Sequence, residues 1–178
     1  MDHFWEEVAT SHRKTFETIL YVFATISMVV FGFIGLLTLM SMVSALSFDL
    51  FNIIVAVVGI GVGVLLYLNR DKVRTEYEYT FTNGDLDFAQ VFNNKKRKPL
   101  GTIKVATLDT FGPVDSNHFN KVINTPNLKK RNWFVNRDAN LYYFYFQKED
   151  NKNILVFEPS DELVALIKRY LPRGAYQE

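Results

Sequence analysis

Apolar and polar positions divide the chain into two regimes. From Ile19 to Val43 run 25 residues with no formally charged side chain, and from Leu50 to Leu68 another 19 interrupted only by Asn52. A helix crossing about 30 Å of hydrocarbon needs roughly 20 mostly apolar residues, so each run suffices. Two such runs folded into the core of one small domain would leave too little polar surface to cover them. A cleaved leader has an apolar region of only about 7 to 15 residues, shorter than the first run. The pattern therefore predicts transmembrane helices over 19–43 and 50–69, joined by a short external loop over 44–49. Ahead of them, Phe4, Trp5, Val8, His12 and Phe16 recur near a spacing of four. That spacing fits a short interfacial helix within a cytosolic or interfacial segment over 1–18, with a solvated tail as the alternative.

After Arg70 the period changes to two. Glu76-Tyr77-Glu78-Tyr79-Thr80-Phe81 places three aromatics on one face, as a half-buried strand requires. Asn83-Gly84 then marks a two-residue hairpin, since both residues tolerate positive φ, and Leu86-Asp87-Phe88 resumes the alternation. A basic loop, Lys95-Lys96-Arg97-Lys98, leads to a third strand around Gly101–Val105. Phe111-Gly112-Pro113 interrupts the pattern, and 114–132 reads as loop with a short helix. Trp133-Phe134-Val135 suggests one brief strand. Leu141–Phe146 and Ile154–Phe157, on either side of a polar turn from Lys148 to Asn153, read as a second hairpin. Ser160 is the expected N-cap of a last helix, with Asp161 and Glu162 at its positive end. Leu163, Leu166, Ile167, Tyr170 and Leu171 form its apolar face, and Pro172 ends it.

Antiparallel strands followed by one amphipathic helix make an α+β arrangement in which the helix covers the open end of a bent sheet. This is the order of a pleckstrin-homology-like (PH-like) β-barrel or sandwich over 70–178, following the transmembrane hairpin. Tyr77-Glu78-Tyr79-Thr80-Phe81-Thr82-Asn83-Gly84-Asp85-Leu86-Asp87, the basic loop, Phe111-Gly112-Pro113 and Pro159-Ser160-Asp161-Glu162-Leu163 carry a further likeness. In these residues the whole chain resembles an uncharacterised bacterial family, a domain of unknown function, in which two membrane helices precede a PH-like domain. The resemblance implies an interaction module and brings no catalytic or binding residue with it.

Charge orients the hairpin. The first 17 residues carry 2 basic and 4 acidic side chains, the apolar region only Asp49, and the chain from Arg70 onward 18 basic against 14 acidic, so the net +1 conceals opposed segments. Arg13 and Lys14 precede the first run and Arg70, Lys72 and Arg74 follow the second, whereas 44–49 holds no Lys or Arg. Basic residues bias the segments they occupy toward the cytoplasm. A multi-pass protein of the cell membrane with both termini cytoplasmic is expected.

Zero cysteines exclude a disulfide scaffold, a Cys-based zinc site and a thiol nucleophile. In the second run Ala56, Gly59 and Gly63 share a helical face, with Gly61 off it, and suit close packing against Gly32, Gly35 or Ala24, within one chain or between chains. The Gly59–Gly63 pattern is not a nucleotide loop, which needs a strand before it and a helix after it. Neither run carries an intramembrane charge that could relay ions or protons. His3 and His12 are too sparse to bind metal. His118 near Asp115 and Ser116 lacks a nucleophile elbow and reads as a surface loop. Asp85 and Asp87 share a strand face without a third ligand. Tyr142–Phe146 reads as core packing, with an aromatic-peptide groove as the sharper alternative.

Lys95, Lys96, Arg97 and Lys98, with Lys129, Lys130 and Arg131, are the candidate contacts for anionic lipid headgroups or a protein partner, a solvated hairpin tip being the alternative. Nothing beyond a generic basic patch points to nucleic acid. No cofactor is implied. The expected function is a non-enzymatic, membrane-tethered adaptor presenting a PH-like domain at the cytoplasmic surface to an unidentified membrane or cytosolic protein. The alternative is an accessory subunit that binds a larger transporter or enzyme complex through its transmembrane helices.

Overall fold

The computed structural model describes residues 3–148 and 151–178, in two compact units: residues 1–12 with 75–178, and residues 13–74. The second unit is a helical hairpin, α1 (Lys14–Ala45) and α2 (Leu50–Asn69), followed by a 3-10 turn, Arg70–Val73. Leu46, left-handed at φ 50°, ends α1, and the Asp49 carboxylate caps α2 by accepting the Asn52 N–H at 3.0 Å. Both helices are long and apolar enough to cross a membrane. The first extends five residues further toward the N-terminus than its apolar run, because Lys14 and Glu17 are good helix formers on a turn that needs no burial.

Among the described residues the first unit holds eight strands in two sheets of four. β1 (Phe4–Ala9), β2 (Thr75–Thr82), β3 (Asp85–Phe92) and β4 (Lys96–Lys104) lie in that order and are antiparallel throughout. β5 (Thr110–Pro113), β7 (Tyr142–Lys148), β8 (Asn151–Phe157) and β6 (Lys129–Trp133) form the second sheet. In it β6 runs parallel to β8. Among the described residues the strands stay in two sheets and do not close into one barrel. Short helices α3 (Asn117–Val122) and α4 (Asp161–Tyr170) complete the unit.

The main core lies between the sheets under α4. Tyr79, Phe81, Leu86 and Phe88 from the first sheet meet Phe111, Phe144, Leu155 and Phe157 from the second, with Leu163, Val164 and Ile167 of α4 against them. Ser160 caps α4 through Leu163, as the sequence predicts, but Val164 joins the buried face in addition to the expected Leu163 and Ile167. A smaller cluster on the outer side of the second sheet buries Tyr143, Ile154 and Val156 beneath Phe119, Val122 and Ile123 around α3. This second cluster explains why β8 is apolar on both faces.

Several expectations are corrected. The N-terminal segment is neither an interfacial helix nor a tail: Phe4–Ala9 is strand β1, paired with β2 from Phe4↔Thr82 to Ala9↔Tyr77, so the domain begins before the hairpin as well as after it. A spacing of four is also twice two, and the inward row Trp5, Glu7, Ala9 contains a carboxylate that masks the alternation. The basic run is not a loop, since Lys96, Arg97 and Lys98 open β4 and only Lys95 lies in the turn. That turn is set by Asn93 and Asn94, both at positive φ, with Lys95 N–H donating to Phe92 C=O at 3.0 Å. Thr110–Pro113 is a strand despite its glycine and proline, because Pro113 closes its end. The strand expected at Trp133–Val135 lies earlier, over Lys129–Trp133. The tip of the second hairpin, residues 149–150, lies outside the described residues.

Candidate functional site

Three groupings of side chains carry the chemistry of the polar unit. The first is the β3–β4 hairpin. Lys95, Lys96, Arg97 and Lys98 are all exposed. β4 is the edge strand of its sheet, where lysines and Pro99 block pairing with another chain. Arg97 Nε meets Glu78 Oε2 at 2.7 Å, so this guanidinium is engaged within the sheet. Lys96 and Lys98 alternate with Arg97 and share their face with Phe92 and Gln90 across the ladder. An open groove of about 450 Å³ at Arg97 is lined also by Thr80, Asp87, Pro99 and Thr102. Asp87 accepts a hydrogen bond from the Thr102 hydroxyl, and Asp85 pairs across the ladder with Lys104.

The second basic cluster is also on a strand. Lys129, Lys130 and Arg131 lie on β6 at the edge of the other sheet, all exposed, with Arg131 over the Trp133 ring at 5.9 Å. Apart from Lys95 in the turn, the expected basic residues thus fall on edge strands of two different sheets.

A third grouping, absent from any sequence motif, ties β1 into the domain. The Glu7 carboxylate accepts the Ser160 N–H at 2.9 Å and Trp5 Nε1–H at 2.8 Å, and also the Ser160 hydroxyl. Ser160 is the N-cap of α4, so a strand ahead of the apolar helices positions the last helix of the chain. Beside it Asn136 donates to Thr10 C=O at 2.9 Å and accepts the His12 N–H at 2.9 Å, while Glu158 accepts from the Asn136 side chain at 2.7 Å and main chain at 3.0 Å. The Tyr79 hydroxyl donates to Trp133 C=O, and burial pushes its pKa well above the ordinary tyrosine value. A cleft of about 420 Å³ lined by Glu7, His12, Glu158, Ser160 and Asp161 opens at this point.

The remaining candidates resolve into packing. His118 Nδ1 lies 2.8 Å from the Tyr143 hydroxyl, and Ser116 caps α3 through Phe119. Burial raises the Tyr143 pKa, against a hydrogen bond with Ser116 that lowers it. Tyr143 and Phe144 are fully buried in opposite clusters. His3 Nδ1 meets the Tyr170 hydroxyl at 2.7 Å, and His12 faces Asp138 at 3.9 Å. Among the described residues no group of three His, Cys, Asp or Glu side chains is placed to hold a metal ion.

Within the helical unit Ala56, Gly59 and Gly63 are the buried residues of α2. A Cβ on Gly59 would stand 2.8 Å from Gly35 Cα, and one on Gly63 would stand 3.2 Å from Gly32 Cα; one on Gly61 would meet nothing within 4 Å. The two backbones touch where the small residues face each other.

No curated protein and no solved structure matches the chain. A family model described as Bacterial PH-like domain (DUF6106) matches residues 1–177, from before β1 to the C-terminal tail, and its extent agrees with a domain that begins ahead of the apolar helices. The chain belongs to this family of bacterial PH-like domains, whose function is unknown.

Proposed function

We propose that the protein is a non-enzymatic, membrane-tethered adaptor, with the helical hairpin holding its PH-like domain at the cytoplasmic surface, both termini inside, where the domain binds a protein or headgroup partner. The carrying observation is the surface of α1 and α2. Only 6 % and 17 % of their apolar stretches are buried within the protein, whereas a core helix would be mostly buried. Away from the seam where the two helices meet, large apolar side chains from Phe16 to Leu68 face outward, and lipid is the solvent that suits such a surface. A removable leader is opposed by β1, since cleavage beyond α1 would take a strand out of the first sheet. Confinement to a surface raises effective concentration at that surface without any new contact.

The accessory-subunit alternative relies on Gly59 and Gly63 as a binding face, but both backbones are already covered by Gly35 and Gly32 of the same chain. Alkaline carbonate extraction of membranes carrying the full chain tests the tether, and a folded, monodisperse chain in the supernatant refutes it. On intact cells, a cysteine placed at Ala45 should react with an impermeant thiol reagent while one at the C-terminus does not. The opposite labelling reverses the topology.

A further inference from the structure

The strand register supplies something that the basic run alone lacks, a reason for it to lie near a bilayer. Thr75 follows Arg74 directly and opens β2; it pairs with Phe92 at the end of β3, which pairs with Lys96 at the start of β4. Neighbouring strands are about 4.8 Å apart, so the Lys96 backbone lies roughly 10 Å from Thr75 across the sheet. β1 leaves at the same end, where Ala9 pairs with Tyr77, and α1 starts five residues later at Lys14. A chain spans at most about 3.5 Å per residue, so both connections to the apolar helices are short. They depart from the sheet end that carries the Asn93–Lys95 turn.

We propose that the β3–β4 hairpin, through Lys95, Lys96 and Lys98, docks on anionic phospholipid headgroups of the bilayer that the chain's own helices enter. The inference rests on the membrane-tethered reading above. Arg97 is paired with Glu78, and Lys95, Lys96 and Lys98 are exposed; the short segments that connect the sheet to the helices are themselves flanked by Arg13, Lys14, Arg70, Lys72 and Arg74, against Glu17, Asp71 and Glu76. Exposed lysines on a turn and an edge strand present a diffuse positive surface. That suits a charged lipid plane, whereas a cradle for one free phosphate would need converging, buried donors. Lys129, Lys130 and Arg131 belong to the other sheet, and no register pair brings them beside Thr75, which makes them an internal control.

The test is lysine footprinting on the full chain reconstituted into vesicles of phosphatidylcholine alone or with phosphatidylglycerol, using an uncharged acetylating reagent and mass spectrometry. Acetylation of Lys95, Lys96 and Lys98 is expected to slow about fivefold with the anionic lipid, from the attraction of one lysine to such a surface. The slowing should vanish in about 1 M salt, where the Debye length falls to ~3 Å, and Lys129 and Lys130 should react equally in both vesicles. Equal rates at the hairpin in the two lipids, or equal slowing at Lys129 and Lys130, would overturn the proposal. A chain that carbonate strips from both vesicle types would instead sink the membrane tether itself, which separates the two failures.

Discussion

Gly112 lies where the C-terminal tail crosses β5, and a methyl group there should detach the tail. Phe111 N–H donates to Ala175 C=O at 2.8 Å and Gln177 N–H donates to Phe111 C=O at 2.9 Å, so the tail extends the sheet past its edge. The Tyr176 ring sits 5.9 Å from the Phe111 ring, with the Lys168 ammonium over it at 3.7 Å from its centroid. A Cβ on Gly112 would stand 2.1 Å from the Gln177 carbonyl oxygen, a backbone atom with no rotamer to escape into. Gly112→Ala therefore forfeits two backbone hydrogen bonds at about 1 kcal/mol each and an aromatic contact of about 1 kcal/mol, roughly 3 kcal/mol in all. At roughly 4 °C per kcal/mol for a unit of this size, Tm should fall by about 12 °C. Where no such contact exists, glycine to alanine is neutral or stabilising by about 0.4–1 kcal/mol. The decisive measurement is a cycle in detergent: Gly112→Ala, a chain ending at Gly174, and both together, followed by near-UV circular dichroism on heating. Truncation alone should cost about as much as the substitution, and the substitution should cost almost nothing once the tail is gone. Penalties that add to within about 0.5 kcal/mol would refute the reasoning, because the methyl would then be colliding with something other than the tail.

Two further perturbations follow from the packing. Gly59→Leu should destabilise the helical hairpin by about 1–3 kcal/mol, whereas Gly61→Leu should leave it unchanged, because only the first is in backbone contact with Gly35. Thermal loss of the helical signal in detergent reads the difference, and equal midpoints would remove the close-packed face. Alkaline stability should also fall: burial raises the Tyr79 pKa, so above about pH 10 the unfolded chain loses a proton that the folded one keeps. Stability is thus fully present below pH ~10 and declines by about 1.4 kcal/mol per pH unit above it for this tyrosine, with Tyr77, Tyr142 and Tyr143 shifted in the same direction. Urea midpoints against pH should show the decline, and Tyr79→Phe should make it shallower; an identical slope in that variant would contradict the assignment.

What was legible in the sequence was what short-range periodicity encodes. The long apolar runs, the Asn83-Gly84 turn and the Ser160 cap depend on residues within a few positions of each other; the turn and the cap appear where the pattern puts them, and both apolar runs are helical, the first from five residues earlier. Long-range pairing was not legible. Glu7 on an inward row looks like an error in a strand until Ser160, far along the chain, is seen to need an acceptor. Pro113 and Gly112 look like breakers until the tail is seen to lie against β5. Lys96–Lys98 look like a loop because edge strands tolerate the charge that central strands exclude.

By itself, then, the sequence determined the two apolar helices and the α+β character of the rest, because burying an apolar side chain depends mainly on its own chemistry and its near neighbours. Only the tertiary structure decided that β1 belongs to the domain beyond the helices, that β6 runs parallel to β8, and that the Lys95 turn shares a sheet end with both connections to the hairpin. Those are matters of which distant backbone groups satisfy each other's hydrogen bonds, and any exposed strand edge could satisfy them equally well until the whole sheet is assembled.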